Sequence, residues 1–377
     1  MKVLMLTNIP SPYRVAFLNE WGRSCDLTAV FERAASSERD GSWSAYRFTG
    51  FQGIILKSIP VAADKGISLS VIRYLKKGYD FIIVANPITP VGMLAILTMN
   101  LRRLPYLIEG DGPGAADGKS RLRSLVKKRL LRKAVGYLSP SKALDAYYQR
   151  YGAAKERIWR YPFTSVWERE IADPAQLDDR KRAARIRLGV DPERKMILAV
   201  GSFVPNKGFD VLLRAAGLLT RQAAVYLVGG GEEFPKYREI VEQLGLPEVY
   251  ILPFQVPEIL TDYYLAADVF AFPTRGDSWG LVVNEAMAHG LPVVSTYACI
   301  GAVELVAEGE NGFLVDAGDE FGLAGRLNRI LEEDGLRGRM SANNLEKIRG
   351  YTIEEMARRH GRILEQLKGA DRCISFF

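Results

Sequence analysis

Short apolar runs alternate with amphipathic segments along the chain, and this alternation predicts most of the secondary structure. Apolar runs rich in β-branched and aromatic residues predict strands that are buried on both faces. These runs are KVLMLT, LTAVF, FIIVAN, PYLIEG and VGYLSP in the first half, and MILAVGS, AVYLVGG, VYILPF, VFAFPT, PVVST and FLVDA in the second. Segments with helical spacing, such as GFDVLLRAAGLL and EEFPKYREIVEQLG, lie between them. This pattern is typical of doubly wound parallel sheets in an α/β protein.

Two such sheets in succession predict two Rossmann-like domains, and a length of 377 residues suits that number. We place the first domain at residues 1–168 and the second at 169–352. The charged stretch 169–189 reads as an exposed linker that runs into a helix. A terminal helix within 353–377, which we expect to pack back on the first domain, is indicated by the spacing of Ile353, Met356, His360, Ile363 and Leu367. Ligands of open α/β sheets bind beyond the carboxyl ends of the strands, so we expect a site in a cleft between the domains.

Composition indicates a soluble globular protein, with 48% hydrophobic and 25% charged residues. The longest apolar run, near Val91 to Leu101, is about half of the roughly 20 residues that a membrane span needs. The first residues enter a strand pattern at once and predict no signal peptide. Three cysteines that lie far apart favour a reducing compartment without a disulfide framework. We therefore expect a cytoplasmic protein.

Charge is distributed unevenly between the two halves. Residues 1–165 have a net charge of +14 and the remaining residues a net charge of −7. Within the basic half, residues 119–133 carry eight cations and no acid, and one helical face of this segment bears Leu122, Leu125, Val126 and Leu130. A basic amphipathic helix of this kind either lies on an anionic membrane or packs its apolar stripe on its own domain. Because no aromatic residue interrupts the run, nucleic acid is disfavoured. We expect peripheral contact with the inner face of the membrane.

Loops that follow the predicted strands of the second half contain glycine and charged residues. GSFVPNKGFD places Lys207 before a helix, and GGGEE repeats the arrangement at residues 229–233. The start of a helix favours phosphate, because its first N–H groups lack acceptors and the helix dipole is positive there. Such a loop is weak evidence alone, since glycine after a strand is often only a tight turn.

The segment PTRGDSWGLVVNEAMAHG places two carboxylates, Asp277 and Glu285, around an apolar run. With a helix that starts near Val283, backbone N–H groups of Gly280 to Val282 would face an anion. Glu285 would then accept hydrogen bonds from ribose hydroxyls and Asp277 from a second sugar. Alternatively, Glu285 is an acid that complements the helix dipole and Asp277 is a turn residue.

VGSFVPNKG, followed by PTRGDSWGLVVNEAMAHGLPVVST and ELVAEGENGFLV, resembles family 4 (group 1) retaining glycosyltransferases of the GT-B fold, and the resemblance covers nearly the whole chain. It implies two Rossmann-like domains that face each other across a cleft, with the acceptor on the first and a nucleotide-sugar donor on the second. It also implies that Lys207 binds the donor diphosphate, Glu285 the ribose and Asp277 the transferred sugar. The predicted donor-binding residues are Gly201, Ser202, Lys207, Gly230, Phe254, Asp277, Ser278, Trp279, Gly280, Leu281, Val282 and Glu285.

Three departures from the family pattern bear on the chemistry. The first acid of the pair is Asp277 where most members have Glu, and Ser202 stands where most have Arg, so we predict that Arg14, beside Tyr13, supplies a cation for acceptor or phosphate. Glu109 or Asp111 occupies the place of a first-domain His, which makes the predicted catalytic residues Asp277, Lys207, Asp111 and Glu109. His289 and His360 read as structural. No Asp-x-Asp element occurs, so we expect neither metal nor other cofactor.

The sequence therefore predicts a hexosyl- or N-acetylhexosaminyl-transferase that moves a sugar from a UDP- or GDP-sugar, with UDP favoured, to a glycan. A polyprenyl-diphosphate-linked acceptor in cell-surface polysaccharide assembly would suit the basic surface. The alternatives are a nucleotide-sugar 2-epimerase of the same fold and a non-catalytic sugar-nucleotide sensor. An NAD dehydrogenase is disfavoured, because no G-x-G-x-x-G follows the first strand.

Overall fold

The computed structural model describes residues 1–35, 46–62, 65–113, 121–220 and 223–374. The chain divides into two compact units, of which the first comprises Met1–Ser165 with Thr352–Phe377 and the second Val166–Tyr351. The boundaries expected from the sequence, after residues 168 and 352, lie within three residues of this division. Over the described ranges, no helix has both the length and the apolar character to cross a bilayer.

The first unit is built on a parallel sheet. Its strands are β1 (Lys2–Thr7), β2 (Asp26–Phe31), β3 (Gln52–Ile55), β4 (Ile59–Pro60), β5 (Gly66–Ile67), β6 (Phe81–Val84), β7 (Leu107–Glu109), β8 (Gly136–Ser139) and β9 (Ile158–Arg160). In the part of the chain that the structure describes, seven of them pair in the order β3-β2-β1-β6-β7-β8-β9, while β4 and β5 form a separate antiparallel pair. The strand order reverses between β1 and β6, as in doubly wound sheets.

Helices cover the first sheet because the faces of its strands are apolar. They are α1 (Pro12–Trp21), α2 (Pro90–Arg102), α3 (Arg121–Leu131) and α4 (Lys142–Arg150). The hydroxyls of Thr89 and Ser141 cap α2 and α4 by accepting hydrogen bonds from backbone N–H groups three residues later. Leu4 and Leu6 of β1 share one apolar cluster with residues of α2, α3 and α4.

The second unit contains a second parallel sheet. Its strands are β10 (Lys195–Ser202), β11 (Ala223–Gly230), β12 (Val249–Leu252), β13 (Val269–Phe272), β14 (Val293–Thr296) and β15 (Gly312–Val315). They pair in the order β12-β11-β10-β13-β14-β15. The order reverses between β10 and β13, although 66 residues separate the two strands along the chain. The loops after β10 and β13 therefore emerge side by side at the carboxyl edge of this sheet.

The helices of the second unit are α5 (Leu177–Leu188), α6 (Phe209–Ala216), α7 (Phe234–Leu244), α8 (Pro257–Ala266), α9 (Leu281–Ala288), α10 (Ile300–Leu305), α11 (Glu320–Glu332) and α12 (Asp334–Ile348). The stretch 169–189, predicted as an exposed linker that runs into a helix, does lead into one. Its second half is α5, which packs against α8. Within α5, Arg185 is 5% exposed and donates to Asp268 over 2.8 Å, so this helix is part of the folded unit.

The last helix, α13 (Ile353–Ile374), belongs to the first unit and packs against α1. Its predicted apolar stripe is buried at Ile353, Met356, His360 and Ile363. In β1, Val3 and Met5 are as fully buried as Leu4 and Leu6, although the two pairs point to opposite faces of the sheet. Helices therefore cover both faces of the sheet at this strand.

Every apolar run that predicts a strand contains one, and the strands that the pattern misses lie at edges. β3 and β9 terminate the first sheet on either side, and their residues are half-buried or exposed. An edge strand packs on fewer neighbours, so its sequence carries a weaker apolar pattern. The short pair β4 and β5 is missed for the same reason.

Candidate functional site

The loops after β10 and β13 are joined by hydrogen bonds. Asn206 is the main partner: its carbonyl accepts from the Thr274 hydroxyl and from the Arg275 backbone N–H, each over 2.8 Å. Its side-chain amide donates to the Gly276 carbonyl. Gly208 lets the first loop turn, since its φ of 67° suits glycine and a Cβ there would lie 2.1 Å from the Pro273 carbonyl oxygen. The two loops are thus one packed structure.

Lys207 and Asp277 meet where these loops touch. The Lys207 ammonium donates to Oδ2 of Asp277, and it also lies 5.3 Å from the centre of the Phe272 ring. The side chains are 23% and 14% exposed, so both reach the surface of the unit. The fold therefore brings together the two residues that sequence analysis selected as binding diphosphate and transferred sugar.

An ion pair between exposed Arg275 and buried Asp210 escaped sequence analysis. Arg275 binds Asp210 in a bidentate manner, with two N–O distances of 2.7 Å, and donates to the Pro205 carbonyl over 2.8 Å. Burial alone would raise the pKa of Asp210, but hydrogen bonds and charge from Arg275 and Arg214 outweigh burial and lower that pKa. The pair fixes the loop that carries Lys207 against the loop that carries Asp277. Arg275 stands in the quoted motif, but nothing in the motif indicates its partner.

The turn from β13 into α9 is shaped by Trp279 and Gly280. The Trp279 side chain is 2% exposed, and its Nε1 donates to Oδ1 of Asn284 over 2.8 Å, so its indole supports the turn from within the core. Gly280 has a φ of 82°, and a Cβ there would lie 2.8 Å from Sγ of Cys299. The helix starts at Leu281, two residues earlier than the sequence suggested. The backbone of Leu281 and Val282 accordingly forms the first turn, whose N–H groups lack intrahelical acceptors.

Glu285 is the fifth residue of α9, not a member of its first turn. The Tyr264 hydroxyl donates to its Oε2 over 2.9 Å, and the ring of Tyr264 stacks on His289 with 5.2 Å between centroids. Nδ1 of His289 donates to the Glu285 carbonyl over 2.8 Å, and burial lowers the pKa of His289 to about 4. His289 is therefore a neutral structural residue, as the sequence suggested.

The remaining predicted donor residues lie at the same edge of the second sheet. Gly201 and Ser202 end β10, and Gly230 ends β11. A Cβ on Gly230 would lie 3.0 Å from the Phe254 ring, so this ring, which is 56% exposed, covers the end of β11. Ser278 is exposed in the loop before α9.

In the first unit, Arg14 and Glu109 require a correction. Nη1 of Arg14 lies 2.6 Å from Oε1 of Glu109, and Nε2 of His360 lies 3.2 Å from Oε2. Glu109 and His360 are 0% exposed and Arg14 is 5% exposed. In this arrangement Arg14 serves a carboxylate in place of a phosphate, and Glu109 cannot touch a ligand. Burial alone would raise the pKa of Glu109, but Arg14 and His360 outweigh burial and lower it.

Two predicted residues beside this cluster are more accessible. Tyr13 is half-buried, with its ring edge-on to Phe163 at 5.7 Å between centroids. Asp111, two residues beyond Glu109, is also half-buried. Among the described residues, no cluster of three or more His, Cys, Asp and Glu side chains could hold a metal ion.

Comparison with known proteins relates part of the chain to a family. The family model described as "Glycosyl transferases group 1" matches residues 180–347, which contain Lys207, Asp277 and Glu285. Residues 180–347 belong to the group 1 glycosyltransferase family. The HepE protein of Anabaena, solved with UDP, has the same fold as this chain: the TM-score is 0.79 at 20% identity, over 97% of this chain and 100% of HepE. The fold is therefore the two-domain α/β fold of GT-B glycosyltransferases, as the sequence predicted.

Two curated relatives share a name. The D-inositol 3-phosphate glycosyltransferase of a Nocardioides species is 36% identical over 197 residues, which are 47% of this chain and 43% of the relative. The enzyme of the same name from Corynebacterium glutamicum is 29% identical over 332 residues, 80% of this chain and 76% of the relative. The chain thus spans less than half the length of the first relative and about three quarters of the second.

Proposed function

We propose that the protein is a retaining glycosyltransferase that moves a hexosyl or N-acetylhexosaminyl group from a nucleotide-sugar, with UDP favoured over GDP, to a glycan acceptor. The observation that carries the proposal is the placement of Lys207, Asp277 and Glu285 beside the start of α9, at the switch point of the second sheet. Support for UDP comes from HepE, whose structures include complexes with UDP and with UDP-glucose.

Each group has a role that fits its chemistry. Lys207 and the first N–H groups of α9 neutralise the donor diphosphate, Glu285 accepts from the ribose hydroxyls, and Asp277 accepts from the transferred sugar. Phe254 lies beside the base. In the absence of donor, the ion pair with Lys207 holds the Asp277 carboxylate in place, so little reorganisation is needed when the sugar arrives. These cationic groups make the reaction metal-independent in our proposal.

The acceptor has two candidates, and each rests on a different observation. The cationic first unit favours a polyprenyl-diphosphate-linked glycan and a role in cell-surface polysaccharide assembly. The shared name of the curated relatives favours an inositol phosphate. Both acceptors are anionic, so the charge of the first unit alone does not separate them.

The test combines a donor panel with matched variants. Purified protein is mixed with UDP- or GDP-sugars and either acceptor, and free nucleotide and the anomer of the product are measured. UDP release that depends on acceptor, with retention at the anomeric carbon, supports the proposal. Epimerised donor without acceptor would establish the 2-epimerase, and binding without turnover the sensor. Glu285→Gln should weaken UDP binding and Asp277→Asn should lower turnover, whereas the exposed control Glu242→Gln should match the parent.

We further propose that the first unit lies on the anionic inner face of the membrane. Lys119 and Ser120 of the predicted basic helix lie outside the described residues, and α3 starts at Arg121. The predicted apolar stripe is divided: Leu130 is 5% exposed, whereas Leu125 and Val126 are 63% and 45% exposed. Among the stripe residues whose burial the structure describes, Leu130 thus packs on its own unit, while Leu125 and Val126 face outward.

The neighbouring helix α2 enlarges this surface. It packs against α3, exposes Leu97 and Leu101 one turn apart, and like α3 contains no acidic residue. Exposed apolar side chains among cations suit an anionic bilayer. Cosedimentation with phosphatidylglycerol vesicles, and not with phosphatidylcholine vesicles, is expected. It should weaken in Leu97→Ser/Leu101→Ser but not in the control Ile186→Ser, which alters an exposed residue of the second unit. Equal binding by all three proteins would contradict the proposal.

A further inference from the structure

Tyr264 is a buried residue whose hydroxyl contacts Glu285. It lies on α8, is 2% exposed, and packs between Phe270 of β13 and His289 at the end of α9, with centroid distances of 5.8 Å and 5.2 Å. Packing on both sides leaves the ring with one orientation. Its hydroxyl therefore points at one place, which is Oε2 of Glu285 at 2.9 Å.

The hydrogen bond has a fixed direction. A carboxylate oxygen can only accept, so the phenol donates. Burial, followed by the nearby charge of Glu285, raises the pKa of Tyr264 well above its ordinary value, so the phenol keeps its proton throughout the physiological range. His289, directly after α9, contacts the backbone carbonyl of Glu285 and is neutral because burial lowers its pKa to about 4.

We propose that Tyr264 is a positioning residue that orients the Glu285 carboxylate toward the ribose of the donor nucleotide. A glutamate side chain loses rotamer freedom when it is held in one geometry, and a binding partner must otherwise meet that cost. Because Tyr264 already holds one oxygen, fewer orientations of the Glu285 carboxylate remain open before the nucleotide arrives. The inference rests on the proposed function, in which Glu285 binds ribose.

The test measures ribose recognition directly. Dissociation constants for UDP, 2′-deoxy-UDP and 3′-deoxy-UDP are determined by calorimetry for the parent protein and for Tyr264→Phe, Glu285→Gln and Tyr263→Phe. Tyr264→Phe keeps the ring and its stacking and removes only the hydroxyl. Tyr263→Phe is the matched control, because the neighbouring ring packs on Tyr226 and is not hydrogen-bonded to Glu285.

The parent should bind UDP about tenfold more tightly than the deoxy analogue that lacks the contacted hydroxyl, as a hydrogen bond to a charged group implies. In Tyr264→Phe this ratio should fall below about threefold, and the donor KM should rise about tenfold with kcat within about twofold. Tyr263→Phe should retain the parent ratio. A variant that is merely less stable would lose thermal stability without a change in the ratio.

The outcomes distinguish the positioning role of Tyr264 from the proposed contact between Glu285 and ribose. If Glu285→Gln loses the discrimination and Tyr264→Phe retains it, the positioning role is overturned while the proposed ribose contact stands. If the parent protein itself binds UDP and both deoxy analogues equally, the ribose contact is wrong and the role of Tyr264 falls with it. A loss of discrimination in both variants, with the parent ratio in Tyr263→Phe, supports the inference.

Discussion

Replacement of Glu109 by glutamine tests whether this carboxylate holds the first unit together. Glu109 is fully buried, 2.6 Å from Nη1 of Arg14 and 3.2 Å from Nε2 of His360. The amide keeps the shape but loses the charge, and its NH₂ group would face an N–H donor on one side. Loss of one partner of a buried ion pair costs about 3–5 kcal/mol, because the other charge stays buried without compensation. For a unit of this size that corresponds to a fall in Tm of roughly 6–20 °C.

The stabilising contribution of Glu109 should depend on pH. The pKa of Glu109 in the folded protein lies below its ordinary value of 4.5, so the stabilising contribution is complete at neutral pH. It is lost as the pH falls from the ordinary value through the lowered one. The parent should therefore be more stable than Glu109→Gln by a constant amount, about 3–5 kcal/mol, from pH 6 to pH 8. This difference should shrink in acid.

The assay is calorimetry combined with hydrogen exchange in peptides that contain β1 and β7. Glu156→Gln, an exposed substitution in the same unit, is the control and should melt with the parent protein. A Glu109→Gln protein that is as stable as the parent but transfers no sugar would refute the structural reasoning. That result would restore Glu109 to the catalytic position that the sequence suggested.

Three further predictions concern the second unit. Gly208→Ala should bind UDP at least tenfold more weakly and lose about 2 kcal/mol of stability, because its φ is positive and its Cβ would strike the Pro273 carbonyl. Gly217→Ala should do neither, because its φ is negative and a Cβ there would make only ordinary van der Waals contacts. Burial raises the pKa of Cys299 to about 12, so mass spectrometry should find it unmodified by iodoacetamide at pH 8 and modified once urea unfolds the protein. Excess EDTA should leave the rate of UDP release unchanged, and recovery by added Mg²⁺ after a loss would contradict metal independence.

Local pattern and topology together made the candidate donor site predictable. Lys207 and Asp277 are 70 residues apart, but each follows an apolar strand whose carboxyl end must carry the loops of the sheet. Because β10 and β13 are neighbours at the switch point, the two loops meet. Glycine and charge in one such loop were weak evidence, and the resemblance to group 1 glycosyltransferases was needed to single out these two loops.

Contacts between distant polar residues were not predictable in the same way. Glu109 is 95 residues from Arg14 and 251 residues from His360, and no spacing rule relates residues that meet only through packing of α1, β7 and α13. The sequence therefore suggested ligand-binding roles for Arg14 and Glu109 on their position after strands. The bond from Tyr264 to Glu285 is hidden for a similar reason, since it joins α8 to α9 across β13.

The last helix, α13, means that the first unit, although its synthesis begins first, can be completed only after the second unit has been made. Residues 353–374 leave the ribosome after all of Val166–Tyr351, yet they supply His360 to the buried carboxylate of β7. During translation the second unit can fold first, while Glu109 and Arg14 wait for their third partner. A premature stop before residue 353 would therefore leave Val166–Tyr351 whole while removing the closing helix of the first unit.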